Sequence, residues 1–217
     1  GWNTDFKFQT VKLDARKYWR FGRDYTLAVR GFFGSSQGKN AQKFFLGGIP
    51  YLLTDFQSGT TNGVSDPSAY RSVITDTSNS NLITDVYFTE YAFPMRGARF
   101  AERIGTYASL FNFEVRFPFI NYLALGFPLK VVFGNIRGHA FVDVGAAWDS
   151  ADEFSSNSWP EKYGSNDTAK FSPWVVTSGL GVKINLGYFL LRVESAWDKN
   201  PGGDSKPQGY LSLVPDW

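Results

Sequence analysis

The sequence predicts an all-β fold, a transmembrane antiparallel β-barrel, on three observations. Apolar and polar residues alternate with a period of two, as they do when the two faces of a strand meet different surroundings. Aromatic residues make up 18% of the 217 residues, and membrane barrels are rich in aromatics at their interfaces. No window approaches the roughly 18 consecutive apolar residues of a membrane-spanning helix.

The alternation is clearest in SLFNFEVRFPF, residues 109–119. Its apolar positions, all of one parity, are Phe111, Phe113, Val115 and Phe117. Its polar positions, of the other parity, are Asn112, Glu114 and Arg116. A helix would scatter these side chains around its circumference, whereas a strand separates them onto two faces.

The same pattern predicts about seven strands. Their predicted ranges are 5–17, 24–34, 104–118, 136–149, 173–184, 187–198 and 208–217. Each is close to the roughly 9–11 residues that a tilted membrane-spanning strand needs.

The connections between these strands alternate in length. Residues 21–24 and 186–188 form tight turns, whereas 35–103, 150–172 and 199–207 are long or polar. Outer-membrane barrels have short periplasmic turns and longer extracellular loops. We therefore expect residues 35–103 to form a long extracellular loop. The apolar segment 119–135 is a longer connection on the side of the short turns.

Alternation alone leaves two soluble folds open. A β-sandwich buries one face of each sheet in its core, and a lipocalin-like barrel turns its apolar face inward. The aromatic content favours the membrane barrel over both of these folds.

Composition restricts the classes of function. The formal net charge of +2 gives no reason to expect nucleic acid as a partner. Without cysteine, and with His139 as the single histidine, the chain offers no expected metal site or cofactor. An acyl-transfer site would have to use His139, and no G-x-S-x-G turn accompanies it. We expect no catalytic residues and no enzyme activity.

Five segments occur in a characteristic order: FFLGG (44–48), MRG (95–97), FNFEVRFPF (111–119), FVDVGAAWD (141–149) and SGLGVKINLGYFLLRVESAWD (178–198). In this order they resemble the C-terminal half of the BamA/TamA superfamily of outer-membrane barrels, the bacterial surface antigen family. The resemblance covers nearly all of residues 1–217. It implies that the seven strands are the last seven of a sixteen-stranded barrel.

The resemblance also implies a loop-to-wall contact. In the superfamily, the arginine of a (V/I)RG(F/Y) motif on the sixth extracellular loop pairs with the aspartate of an FxDxG motif on a barrel strand. The matching residues here are Arg96 and Gly97 on the loop, and Phe141, Asp143 and Gly145 on the strand. Two departures stand out. Ala98 replaces the loop aromatic, so that an aromatic anchor for the loop tip is either missing or supplied by Phe100, and an insertion over residues 49–92 separates the two loop motifs.

Further residues are expected around this pair. Glu114 and Arg116 share the polar face and are candidate members of the same ionic network. Gly179 and Gly181, with Gly145, would leave room for the loop beside the wall. In the superfamily the first and last strands meet at a weak seam. The last strand here contains Pro215, which lacks a backbone donor, and ends at the aromatic Trp217.

The function implied by the resemblance is assembly of other β-barrel proteins into the outer membrane of a Gram-negative bacterium, or translocation of substrates across it. The implied partners are outer-membrane lipid, the rest of the same barrel with a periplasmic domain before residue 1, and unfolded outer-membrane proteins or accessory envelope proteins. The alternative is a structural or anchoring barrel subunit of a larger envelope complex without insertase activity.

Overall fold

A computed structural model describes residues 7–48, 52–57, 90–93, 95–98, 103–125, 131–155, 172–186, 188–198 and 207–215. These residues form eleven strands and one short 3₁₀ helix. The strands are β1 (Phe8–Phe21), β2 (Tyr25–Gly38), β3 (Phe44–Leu46), β4 (Leu52–Gln57), β5 (Glu90–Phe93), β6 (Arg103–Gly105), β7 (Tyr107–Leu125), β8 (Val131–Trp148), β9 (Trp174–Asn185), β10 (Phe189–Asp198) and β11 (Gln208–Pro215), and the helix spans Ala151–Phe154. No helix in the described part of the chain is long and apolar enough to cross a lipid bilayer.

The main sheet has eight strands in the order β1-β2-β7-β8-β9-β10-β11-β4. Every neighbouring pair in it is antiparallel. The seven predicted strands are β1, β2, β7, β8, β9, β10 and β11. The predicted all-β, antiparallel fold is therefore confirmed.

The segment 119–135 differs from its prediction as a connection. Strand β7 continues to Leu125 and β8 begins at Val131, so most of this segment is paired strand. The pairing register shifts between Pro118 and Ile120. A bulge of this kind breaks the alternation of apolar and polar residues in β7, and this explains why the pattern predicts the end of β7 at residue 118 rather than at Leu125.

A second, small sheet lies on one face of the main sheet. Its strands follow the order β5-β3-β6, and β3 contacts both β7 and β8. Phe44, Leu46 and Met95 are buried between the two sheets against Phe32 and Leu110. Residues 44–46 and 95–98, within the long loop predicted over residues 35–103, therefore pack against the main sheet, and β2 itself extends into the predicted loop as far as Gly38.

The two faces of the main sheet differ in chemistry. On the face that the small sheet covers, here called the covered face, lie the buried polar side chains Glu114, Asp143, Thr177 and Glu194. On the opposite, exposed face lie Phe113, Val142, Leu180 and Val193.

The last strand is paired on both of its edges. Strand β11 pairs with β10 on one side, where Pro215 lies opposite Phe189, and with the loop segment β4 on the other. In the described residues the sheet thus has β1 and β4 as its two edge strands. Trp217, the other residue of the predicted seam, lies outside the described residues.

Candidate functional site: the loop-to-wall ion network

The loop tip that carries Arg96 is held by backbone hydrogen bonds. Met95 N donates to the carbonyl of Gly48 at 2.9 Å, and Gly48 N donates to the carbonyl of Ala98 at 3.3 Å. These two contacts join the two ends of the loop, FFLGG and MRG, directly above the wall. Because backbone hydrogen bonds hold the residues on both sides of Arg96, they also fix the orientation of its Cα–Cβ bond.

Gly97 allows this tip to approach the wall closely. Its φ is +86°, a conformation that L side chains rarely adopt. A Cβ at this position would also lie 2.9 Å from Cβ of Ala196 and 3.4 Å from Cβ of Thr177. Both the backbone conformation and the available space therefore require glycine here.

Arg96 and Asp143 form a two-pronged ion pair. Arg96 Nε donates to Asp143 Oδ2 at 3.0 Å and Nη2 donates to Oδ1 at 3.0 Å, while the Arg96 backbone N donates to Oδ2 at 3.3 Å. Asn112 Nδ2 donates to Asp143 Oδ1 at 2.8 Å. The Asp143 side chain is fully buried and that of Arg96 is 12% exposed. Pairing with a planar guanidinium is the arrangement in which a buried carboxylate is tolerated.

The guanidinium also meets two further carboxylates and an aromatic ring. Arg96 Nη1 donates to Glu114 Oε2 at 2.7 Å and lies 3.6 Å from Glu194 Oε1. The Arg96 Cζ lies 3.6 Å from the centroid of the Phe141 ring, a cation–π contact. Burial acts to lower the pKa of Arg96, but the carboxylates of Asp143, Glu114 and Glu194 outweigh it and raise the pKa above its ordinary value.

Two basic side chains complete the network around Glu114. Arg116 Nε donates to Glu114 Oε1 at 2.6 Å, and Lys183 Nζ contacts the same oxygen. The network thus contains three cations (Arg96, Arg116 and Lys183) and three carboxylates (Asp143, Glu114 and Glu194). Equal numbers of opposite charges reduce the cost of burying the five members other than Arg116, which remains partly exposed.

His139 lies beneath the network. Its Nε2 is 2.7 Å from Glu194 Oε1, and its ring stacks on Phe141 with the centroids 6.0 Å apart. Among the described residues no hydroxyl group bonds to this imidazole. In this position His139 orients Glu194 toward the Arg96 guanidinium.

The predicted glycines lie where side chains would collide. A Cβ on Gly145 would lie 2.8 Å from Leu46 Cδ2 and 3.2 Å from Met95 Sδ, so this glycine makes room for the loop. Gly179 faces the Phe141 ring, and a Cβ on Gly181 would lie 2.6 Å from His139 Cε1. These last two make room for wall side chains rather than for the loop itself.

Ala98 is buried where the superfamily motif has an aromatic residue. It packs in the cluster that contains Phe44, Leu46 and Met95. These three side chains anchor the loop tip. They therefore fill the role that the sequence left open or assigned to Phe100. Phe100 lies outside the described residues.

Three members of the site were not predicted. They are Lys183, Glu194 and His139, which contacts Glu194. The parity of their strands places each on the polar face, a signal that the sequence contains. The contacting residues are far apart in the sequence: 55 residues separate His139 from Glu194, and 69 separate Glu114 from Lys183. Which of them meet depends on the register between the strands, and alternation does not determine that register.

The site has the properties of a structural clasp. Among the described residues, no group of three or more His, Cys, Asp or Glu side chains is arranged to hold a metal ion. The charged groups pair with one another, although Glu194 Oε2 is buried without a hydrogen-bond partner among the described residues. The arrangement fixes the loop tip against the covered face of the sheet.

No protein-family model and no curated protein matches the sequence significantly. Among solved structures, CdiB from Acinetobacter baumannii is similar to this chain, with a TM-score of 0.42 and 11% sequence identity. The match covers 97% of this chain and 27% of that one. The chain thus spans about a quarter of the length of that structure.

Proposed function

We propose that this chain is the C-terminal part of an outer-membrane β-barrel of the BamA/TamA type in a Gram-negative bacterium. In this proposal the barrel inserts other outer-membrane proteins or translocates substrates across the outer membrane. The observation that carries the proposal is the inverted distribution of side chains, with ionic groups buried on the covered face and large apolar groups exposed on the other.

The exposed face has the composition of a lipid-contacting surface. Phe111 and Phe113 are each 44% exposed, Val142 is 42% exposed and Leu180 is 54% exposed. Keeping such area in water costs about 25 cal/mol per Å², whereas hydrocarbon removes that cost. A membrane barrel turns this face to lipid and the polar face to its lumen.

The soluble alternatives explain this distribution less well. A sandwich would cover the apolar face with a second sheet, and a lipocalin-like barrel would turn it inward. Here a loop-derived sheet covers the charged face instead. This is the arrangement expected of a barrel whose lumen receives an extracellular loop.

The ion network supports the narrower, superfamily-level part of the proposal. Arg96 and Asp143 come from the two resembling motifs and meet in one buried pair. In the proposal, this clasp keeps the loop inside the lumen while the barrel acts on its substrate. The partners are outer-membrane lipid, the remainder of the barrel with a periplasmic domain, and unfolded outer-membrane proteins or accessory envelope proteins. No reaction is catalysed.

Depletion of the full-length protein in its own bacterium tests the function. We expect the protein to fractionate with the outer membrane. We also expect depletion to lower the folded, heat-modifiable fraction of other outer-membrane proteins, or to stop export of a cargo. Complementation with the wild-type gene is the control. Recovery in the inner membrane would contradict the proposed location. Unchanged assembly and export, with loss of an envelope complex, would favour the anchoring role instead.

A further inference from the structure

Basic side chains occupy directly neighbouring positions on the covered face, in a row that includes Lys183 of the ion network and continues on both sides of it. Arg137 of β8 lies opposite Lys183 of β9, and Lys183 lies opposite Arg192 of β10. Arg137 is two residues from His139 on β8, so it shares that face by alternation. We call Arg137, Lys183 and Arg192 the basic belt. It crosses three adjacent strands.

Such a row costs stability unless something compensates it, because like charges directly opposite one another on a sheet repel. Elsewhere on this face the chain provides compensation. Arg16 and Arg30 are also cross-strand neighbours, and both bind Asp14, at 2.9 and 2.8 Å. Lys183 contacts Glu114. A carboxylate placed between two cations is thus how this sheet tolerates basic pairs.

Within the described ranges neither Arg137 nor Arg192 forms an ion pair. Glu194, two residues from Arg192 on the same face of β10, attracts the Arg192 guanidinium without lying within ion-pair distance of it. The Nε of Arg192 is buried and makes no hydrogen bond to any described residue. A buried guanidinium N–H without an acceptor is costly, so the position calls for an oxyanion from outside the described chain.

The space for such an anion lies beside the belt. A cavity of about 240 Å³ is lined by Arg192 and Lys183 together with Arg116, Arg96, Arg30 and Arg16. Two carboxylates, Glu114 and Glu194, also line the cavity. Asp14 and Asp143 pair with three of the six cations from outside the lining. The guanidinium groups offer forked donors that match a carboxylate or a phosphate.

We propose that the basic belt and its cavity form an oxyanion-binding site on the lumen wall. The site takes the carboxylates of an acidic polypeptide segment that enters the lumen, or a free oxyanion such as phosphate. Arg192 is the member of the belt that lines the cavity and still lacks an acceptor for its Nε among the described residues. Arg137 lies outside the cavity lining, opposite Lys183, and extends the row of positive charge along the wall. The inference rests on the proposed lumen and goes beyond the proposed function.

Binding to the purified full-length protein in detergent tests the site. The probes are a fluorescent hexaglutamate peptide, a hexaglutamine peptide as its uncharged match, and inorganic phosphate as a competitor. The variants are Arg192→Gln and Arg137→Gln. The matched control is Lys39→Gln, which removes one positive charge from an exposed turn just after the last residue of β2.

We expect hexaglutamate to bind, hexaglutamine not to bind, and Arg192→Gln to weaken binding by at least about tenfold. The Lys39→Gln variant should bind as the wild type does. Competition by phosphate at concentrations comparable to those of peptide carboxylate indicates a site for free oxyanions, and its failure indicates a site for polypeptide. Both outcomes support an oxyanion site.

Binding that is absent in the wild type, or equal in Arg192→Gln and Lys39→Gln, would overturn the inference. It would mean that other parts of the same barrel already neutralise the belt. Each variant is first checked for heat-modifiable folding, and Arg192→Lys retains the charge if Arg192→Gln does not fold. Failure of binding in a folded barrel leaves the proposed assembly function standing, so the two proposals are tested separately.

Discussion

Arg96 combines four contacts that separately are weak constraints on a loop. Its guanidinium pairs with Asp143 through two hydrogen bonds, touches Glu114 and lies over the Phe141 ring. Because the site is buried, each contact is stronger than it would be in water. The side chain therefore places the loop tip at one point on the wall.

The aromatic contribution can be separated from the ionic one. We expect Phe141→Leu to lower the free energy of unfolding by about 1–3 kcal/mol, through loss of the cation–π contact and of packing in a buried site. Phe113→Leu, on the exposed face of the neighbouring strand, should change it by less than about 0.5 kcal/mol. Denaturant unfolding in detergent measures both. Equal effects of the two substitutions would show that the ring under Arg96 has no special role.

Gly97 gives a second test at the same scale. We expect Gly97→Ala to destabilise the docked loop by about 1–3 kcal/mol, because the positive φ and the approach to Ala196 both oppose a Cβ. Gly31→Ala is the matched control, since a Cβ there meets Phe111 at an ordinary 3.4 Å. Protease sensitivity of the loop measures docking. A loop as resistant in Gly97→Ala as in Gly31→Ala would contradict the close approach.

Among the elements, the long strands were predictable and the short ones were not. Strands β7 to β10 have enough residues for alternation to be recognised, although a bulge near Pro118 interrupts the alternation toward the end of β7. Strands β3, β5 and β6 have only three or four residues each. Segments this short contain about one and a half periods, and pairing with distant residues decides their structure.

The exposed face of β9 predicts a dependence on membrane depth. Leu180 lies near the middle of the strand and Leu186 just beyond its end. We expect Leu180→Arg to cost about 2–4 kcal/mol in a bilayer, and Leu186→Arg only about 0–1 kcal/mol. Folding of the full-length protein into lipid vesicles against denaturant measures the difference. Equal costs at the two positions would contradict a lipid-facing strand.

The pairing of β4 with β11 gives another element-scale prediction. Thr54 lies opposite Leu211, and directly paired residues are close enough for a disulfide. Since the sequence has no cysteine, Thr54→Cys with Leu211→Cys should form a single crosslink upon oxidation. The control pair, Thr54→Cys with Val193→Cys, spans an intervening strand and should not crosslink. Absence of the first crosslink in folded protein would show that the loop segment does not cover the edge of β11.

At the scale of the whole molecule, the sequence predicted some residues around Arg96 and not others. Asp143 is expected from the resemblance to the superfamily motifs, and Glu114 from the parity of its strand. Lys183, Glu194 and Arg192 also lie at polar positions, but their places in the site depend on the register of the assembled sheet. The proposed function depends on whether this assembled network holds the loop tip against the covered face of the sheet.

A charge-swap cycle of Arg96 and Asp143 tests that dependence most directly. The variants are Arg96→Glu, Asp143→Arg and the double substitution, made in the full-length protein. Heat-modifiable folding and assembly of other outer-membrane proteins in cells are the readouts. Removing one partner of a buried ion pair costs on the order of 3–5 kcal/mol, so each single swap should abolish both readouts. The double swap should restore them in part, since Glu114 and Glu194 still favour a cation at position 96. Silent single swaps, or a double variant no better than either single one, would contradict the loop-to-wall clasp.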